Sequence, residues 1–168
     1  MSNFPACRTA QRPSGKNLFT KLSTNTTRID TMADFAQLTY KGDLHVECEH
    51  LQSGAKFTTH SSDQPNAILD GFNPVELCAT SLGACAMTVV AFFASKHNID
   101  VSGMTMRVNK EMRTKPYGIS KIELVFDMPD REYSDKDKAQ IERAANSCPV
   151  HGAFRPEIEQ VFTFNWKK

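Results

Sequence analysis

The chain has 168 residues and a mass of 18.8 kDa, 40% hydrophobic and 23% charged, enough for one globular domain around a single core. A net charge of +1 and a pI near 7.7 exclude a dedicated nucleic-acid binder or an anionic-membrane binder. Five cysteines at wide spacing, with no CxxC pair, exclude a disulfide scaffold and a zinc ribbon; free thiols point to a reducing, cytoplasmic compartment.

Residues 1–31 hold five basic groups (Arg8, Arg12, Lys16, Lys21, Arg28) against one acid, Asp30. The balance leaves fifteen basic and eighteen acidic groups in residues 32–168, since the whole chain has 20 and 19. The leading segment is rich in Ser, Thr and Asn and has no apolar period. It reads as an N-terminal extension or leader, transit-peptide-like or merely flexible, ahead of one domain over 32–168. The apolar core of a signal peptide is missing.

From Asp34 to His60 the pattern is three strands joined by two turns. Ala36, Leu38 and Tyr40 alternate, Lys41-Gly42-Asp43 turns, and Leu44, Val46 and Cys48 alternate again. Gln52-Ser53-Gly54 then leads into Ala55, Phe57 and Thr59. Residues 61–71 are a loop. Asn73-Pro74-Val75-Glu76 predicts a helix start, with Asn as cap, Pro at the first turn and Glu closing a capping box. The helix runs to His97-Asn98, where Lys96 and His97 suit the negative end of the dipole and Asn98 the left-handed cap.

Leu77 to Ser95 carries no charge and approaches the length of a membrane span. Thr80, Ser81, Gly83, Cys85 and Thr88 dilute it, so the expectation is a buried core helix with no membrane role. Met104, Met106 and Val108 begin a second meander, which turns at 114–118 and continues through Ile122, Leu124 and Phe126. Ser134 caps a second helix with an apolar stripe at Ile141, Ala144, Ala145 and Cys148, broken after Cys148 by Pro149. Phe162, Phe164 and Trp166 close the chain as a strand. The order βββ–α–ββ–α–β is α+β, with antiparallel sheets around two central helices.

Cys85 and Cys148 have the most suggestive settings. Cys85 lies mid-helix beside Gly83 and Ala84, which permit close approach of another element; Cys148 ends an apolar stripe and precedes a proline. Both also fit small buried hydrophobes. Cys78 falls on the Cys85 face and reads as core. His45, Cys48, His50 and His60 raise the question of a metal, but His45 and His50 fall on opposite sides of a regular strand. Arg107 and Arg113 read as solvated strand residues that could still reach a subunit interface, and Met87, Phe92 and Phe93 as core or pocket wall.

Two motifs together resemble the OsmC/Ohr family (osmotically inducible protein C and organic hydroperoxide resistance protein). They are Asn73-Pro74-Val75-Glu76-Leu77 with Leu82-Gly83-Ala84-Cys85, and Ser147-Cys148-Pro149-Val150-His151 some sixty residues on. The likeness runs from about Phe35 to Trp166 and includes the element order. It implies an OsmC-like fold and an intertwined homodimer that encloses two long helices. It also implies that Cys85 is a peroxidatic thiolate and Cys148 its resolving partner. The substrate would be a small organic hydroperoxide and the reductant an external dithiol, with no metal, flavin or haem.

The better-known peroxidases of the family use an Arg from the N-terminal strands and a Glu before the cysteine helix. Here no Arg lies between Arg28 and Arg107, and Val75 stands ten residues before Cys85. Glu76 is half a turn of phase from Cys85 and about 13 Å along the axis, so it is better explained as the cap. His45 stands near the place of the family Arg and is the candidate activator of Cys85. These departures resemble a less characterised branch, so a second reading remains: a non-catalytic or sensor-type dimer binding an apolar or thiol-reactive ligand.

Overall fold

A computed structural model describes residues 34–64 and 67–167. The expected extension over 1–31 lies outside them. The described residues form two three-stranded sheets and three helices. Strands β1 (Ala36–Gly42), β2 (His45–His50) and β3 (Ala55–His60) make an antiparallel meander. Its first turn is tight: Gly42, Asp43 and Leu44 all have positive φ, at 94°, 48° and 58°. The register places Leu38, Cys48 and Phe57, then Tyr40, Val46 and Thr59, on one face. His45 and His60, with Glu47, Glu49, Lys56 and Thr58, occupy the other.

Helix α1 (Pro74–Lys96) starts and stops where its local chemistry dictates. Asn73 Oδ1 accepts from the Val75 N–H at 2.9 Å, and Glu76 Oε2 accepts from the Asn73 N–H at 3.1 Å. Such a cap stabilises a helix by about 1 kcal/mol. At the other end Asn98 takes φ 54°, and the His97 and Ile99 N–H groups both reach the Ala94 carbonyl.

Strands β4 (Thr105–Thr114) and β5 (Tyr117–Asp127) pair antiparallel, and helix α2 (Asp135–Asn146) follows with Ser134 as its cap. Two differences from the sequence reading follow. The stripe expected to run through Cys148 ends at Asn146, and Cys148 instead caps a further short helix, α3 (Pro149–Ala153). Proline lacks an N–H and presets φ, so Pro149 opens a helix at its first position as readily as it ends one. Strand β6 (Glu159–Asn165) joins β5 in parallel, the one pair among the described strands that departs from an antiparallel sheet. The chain between β5 and β6 carries two helices, and such a crossover returns it in the same direction.

The core lies between α1, α2 and the second sheet. Leu82, Ala86 and Val90 of α1 meet Ile122, Leu124 and Phe126 of β5 and Ile141 and Ala145 of α2. Gly83 marks the closest approach of helix to sheet: a Cβ there would lie 2.7 Å from Met106 Sδ and 3.1 Å from Val108 Cγ2. Within the single chain the burial of α1 is one-sided, with 33% of its most apolar window covered. Its outer stripe, Cys78, Ser81, Ala84, Thr88, Ala91 and Phe92, is exposed. The Ser81 and Thr88 hydroxyls donate back to the Cys78 and Ala84 carbonyls, which leaves that stripe with little polar demand. Cys78, expected in the core, belongs to it because the sheet covers the opposite side of the helix.

Candidate functional site

Two cysteines converge where α1, α2 and α3 meet. Cys85 is held on the fourth turn of α1, half-buried against the core, and Cys148 is buried at the cap of α3. Their side chains lie within interaction range of each other, although 63 positions separate them in the chain. Both are free thiols. The proline break makes this possible, because it turns Cys148 out of the α2 ladder. The Cys148 Sγ then accepts from the His151 N–H at 3.3 Å.

Burial pushes the Cys148 thiol above its ordinary pKa. The backbone N–H of His151 works against that rise, while the Cys85 thiol adds to it. Cys148 is therefore kept protonated at neutral pH, the form that suits a second, resolving thiol better than a first nucleophile. His151 anchors the arrangement. Its Nδ1 lies 2.9 Å from Gln160 Oε1, Gln160 Nε2 donates to the His151 carbonyl at 3.2 Å, and its ring meets Phe162 edge-on. Sequence reasoning noted His151 only within a motif; its pairing with β6 depends on the parallel strand.

An open groove of about 530 Å³ runs between α1 and α2. Val89, one turn beyond Cys85, and Ser147, next to Cys148, line it together with Phe92, Phe93 and Ala144. Lys96 and Arg143 flank it. Phe92 and Phe93 are thus pocket wall. Glu76 is placed as expected: it caps α1 and meets Lys110 Nζ at 3.3 Å, beside a separate cavity of about 200 Å³.

The other candidates lie apart. His45 is on the polar face of the first sheet, its Nδ1 2.8 Å from the Asp43 carbonyl and its Nε2 3.4 Å from Asp70 Oδ1. Its ring stacks on His60 at 3.9 Å, and Cys85 is not among its contacts. His60 Nδ1 is 2.7 Å from the same Asp70 oxygen. Loss of water around Asp70, the largest influence, tends to raise its carboxyl pKa; the hydrogen bond and charge of His60, then those of His45, outweigh it and hold it below the ordinary value. Asp70 sits in an aperiodic loop, where no pattern could single it out. The four residues weighed for a metal do not assemble: His50 pairs with Ser53, and Cys48 approaches only the Val46 carbonyl. Arg107 is exposed and paired with Asp127, as a solvated strand residue should be. Arg113 differs, because its Nε is out of water with no partner among the described residues.

A family model described as OsmC-like protein matches residues 62–161, which contain both cysteines. The chain belongs to the OsmC/Ohr family. No curated protein matches it. A crystal structure from Psychrobacter arcticus, provisionally described as an osmotic stress induced and detoxification response protein, is 28% identical, with a TM-score of 0.76 over 82% of this chain and 99% of that one. An organic hydroperoxide resistance protein from Elizabethkingia anophelis is 19% identical, with a TM-score of 0.62 over 82% of this chain and 99% of its own. Another, from Bacillus subtilis, is 22% identical, with a TM-score of 0.56 over 77% and 97%. The last two share the fold, and this OsmC-like chain spans nearly the whole of each.

Proposed function

We propose that this OsmC-like protein reduces organic hydroperoxides, with Cys85 as the attacking thiolate and Cys148 as the resolving thiol. The observation that carries the reading is the convergence of these two thiols beside an apolar groove. The names of the hydroperoxide resistance proteins that share the fold support it.

The chemistry balances without a cofactor. The Cys85 thiolate attacks one peroxide oxygen, the O–O bond breaks, and the departing alkoxide takes a proton to leave as an alcohol. Cys85 becomes a sulfenic acid. The Cys148 thiol attacks that sulfur, water leaves, and a disulfide forms. An external dithiol of a reducing, cytoplasmic environment then reopens it by exchange and is itself oxidised. A groove walled by Val89, Phe92 and Phe93 suits a hydroperoxide with an apolar body. The reading is tested by stopped-flow measurement of peroxide consumption with a dithiol present.

We propose further that the working form is an intertwined homodimer. In one protomer the apolar face of the first sheet is open, with Leu38 64%, Tyr40 65% and Phe57 49% exposed. The outer stripe of α1 is open too. Two such surfaces on one chain are met most economically by a second copy. Sedimentation equilibrium at micromolar concentration is expected to give twice the chain mass. A stable folded monomer there refutes the dimer.

His45 is the proposed source of positive charge favouring the Cys85 thiolate, brought within electrostatic reach by assembly. Cys85 alkylation, followed against pH in a chelating buffer, is expected to be slower near neutrality in His45→Ala than in the wild type. Superimposable profiles remove His45 from the mechanism.

A further inference from the structure

We propose that His45, His60 and Asp70 form a binding site for one divalent transition-metal ion of the zinc class, on the polar face of the first sheet. Of its three residues only His45 also enters the thiol proposal above. One ligand atom from each of the three residues lies within 4.8 Å of the other two, and the ring nitrogens in contact with Asp70 Oδ1 are His45 Nε2 and His60 Nδ1. Two imidazoles and one carboxylate match the donor set of a borderline-soft divalent ion with an open fourth position.

The dimensions fit. Bonds of about 2.0–2.1 Å to a tetrahedral centre place neighbouring ligand atoms about 3.3–3.4 Å apart. His45 Nε2 and Asp70 Oδ1 are already 3.4 Å apart. The His60–Asp70 separation of 2.7 Å has to open by less than 1 Å. Asp70 lies on an exposed loop, so that adjustment falls on the freest of the three side chains.

A second observation concerns the tautomer. The Asp43 carbonyl lies 2.8 Å from His45 Nδ1 and can only accept, so Nδ1 carries the hydrogen and the Nε2 lone pair faces the cluster. A backbone carbonyl behind an imidazole is the usual outer support of a metal-bound histidine. Here it is presented by a turn in which Asp43 and Leu44 both hold positive φ, a conformation costly for residues other than glycine. The two imidazoles stack at 3.9 Å with planes 20° apart, which holds both rings side by side at the cluster. The Asp70 N–H also approaches His60 Nδ1, at 3.4 Å, a contact that ligation would release.

Bound metal would tie the loop ahead of α1 to β2 and β3. It would also replace any imidazolium at His45 by a divalent charge, which is why the thiol measurement above uses a chelator.

The test is a Co²⁺ titration of the full reduced chain, followed by visible absorption, with Zn²⁺ and Mg²⁺ as competitors. We expect one equivalent per chain, no thiolate-to-cobalt charge-transfer band, displacement by Zn²⁺ and none by Mg²⁺. His45→Ala and His60→Ala should each weaken binding by about tenfold or more. His60→Gln keeps the side-chain volume and should do the same, whereas His50→Ala, whose ring pairs with Ser53, should bind as the wild type does. Absence of saturable binding, a thiolate band, or affinity unchanged in His60→Ala and His60→Gln overturns the site. None of these readouts depends on peroxide turnover.

Discussion

Cys85→Ser is expected to reduce hydroperoxide consumption to the uncatalysed background. A serine hydroxyl is not a useful nucleophile toward an O–O bond, and its oxygen cannot cycle through a sulfenic acid. Cys148→Ser should behave differently. Its Cys85 still attacks, so one equivalent of peroxide per chain is consumed in a burst, and turnover with a dithiol that depends on the internal disulfide then fails. The sulfenic acid at Cys85 should be trappable by a cyclic 1,3-diketone and visible as one mass increment on the peptide containing Cys85. The double variant should match Cys85→Ser, because two residues acting in sequence are not additive. The wild type should lose two thiols per chain under mild peroxide. Oxidation at Cys48 or Cys7 with Cys85 left intact eliminates the mechanism and favours the binding or sensor reading. The raised pKa of Cys148 adds an internal check: near neutral pH it should be alkylated slowly, and faster as pH rises.

The second large effect is on stability. Phe126 is fully buried near the C-terminal end of β5 and stacks on Phe164 of β6 at 4.2 Å between ring centroids. Phe126→Ala deletes a ring from the layer that α1 packs against, and the parallel β5–β6 pair restrains collapse of the cavity. The expected loss is about 3–5 kcal/mol. A typical domain holds only about 5–15 kcal/mol in all, so a large part of the folded population is at stake. Phe126→Leu should cost less, because it keeps most of the apolar volume. Denaturant midpoints at one fixed protein concentration measure both, the fixed concentration being needed if the fold is dimeric. A loss under about 1 kcal/mol for Phe126→Ala contradicts the core as described.

How much of this was legible without coordinates divides by range. The bounds of α1 were readable because they are decided within a turn of helix: Asn73, Pro74 and Glu76 satisfy the first free N–H groups, and Asn98 tolerates the left-handed exit. The first meander was readable from its alternation and its glycine turns. Family membership was readable from the residues around Cys85 and Cys148.

What needed the tertiary structure involves partners far apart in sequence. The parallel placement of β6 depends on where the crossover returns the chain, and alternation in Phe162, Phe164 and Trp166 is the same in either direction. The separate helix behind Cys148 was hidden because Pro149 is compatible with ending one helix and with starting another. The apolar composition of α1 called for more cover than one chain readily supplies, but which side stays open was decided by where the second sheet packs, since hydropathy records what a residue prefers and not what reaches it. The cluster of His45, His60 and Asp70 illustrates this most sharply. Strand phase correctly separated His45 from His50, but only the β2–β3 register sets His45 beside His60, and only the path of an aperiodic loop delivers Asp70 to both. Local caps and periods are short-range energetics written in consecutive residues; the meeting of side chains tens of positions apart is decided by packing of the whole domain.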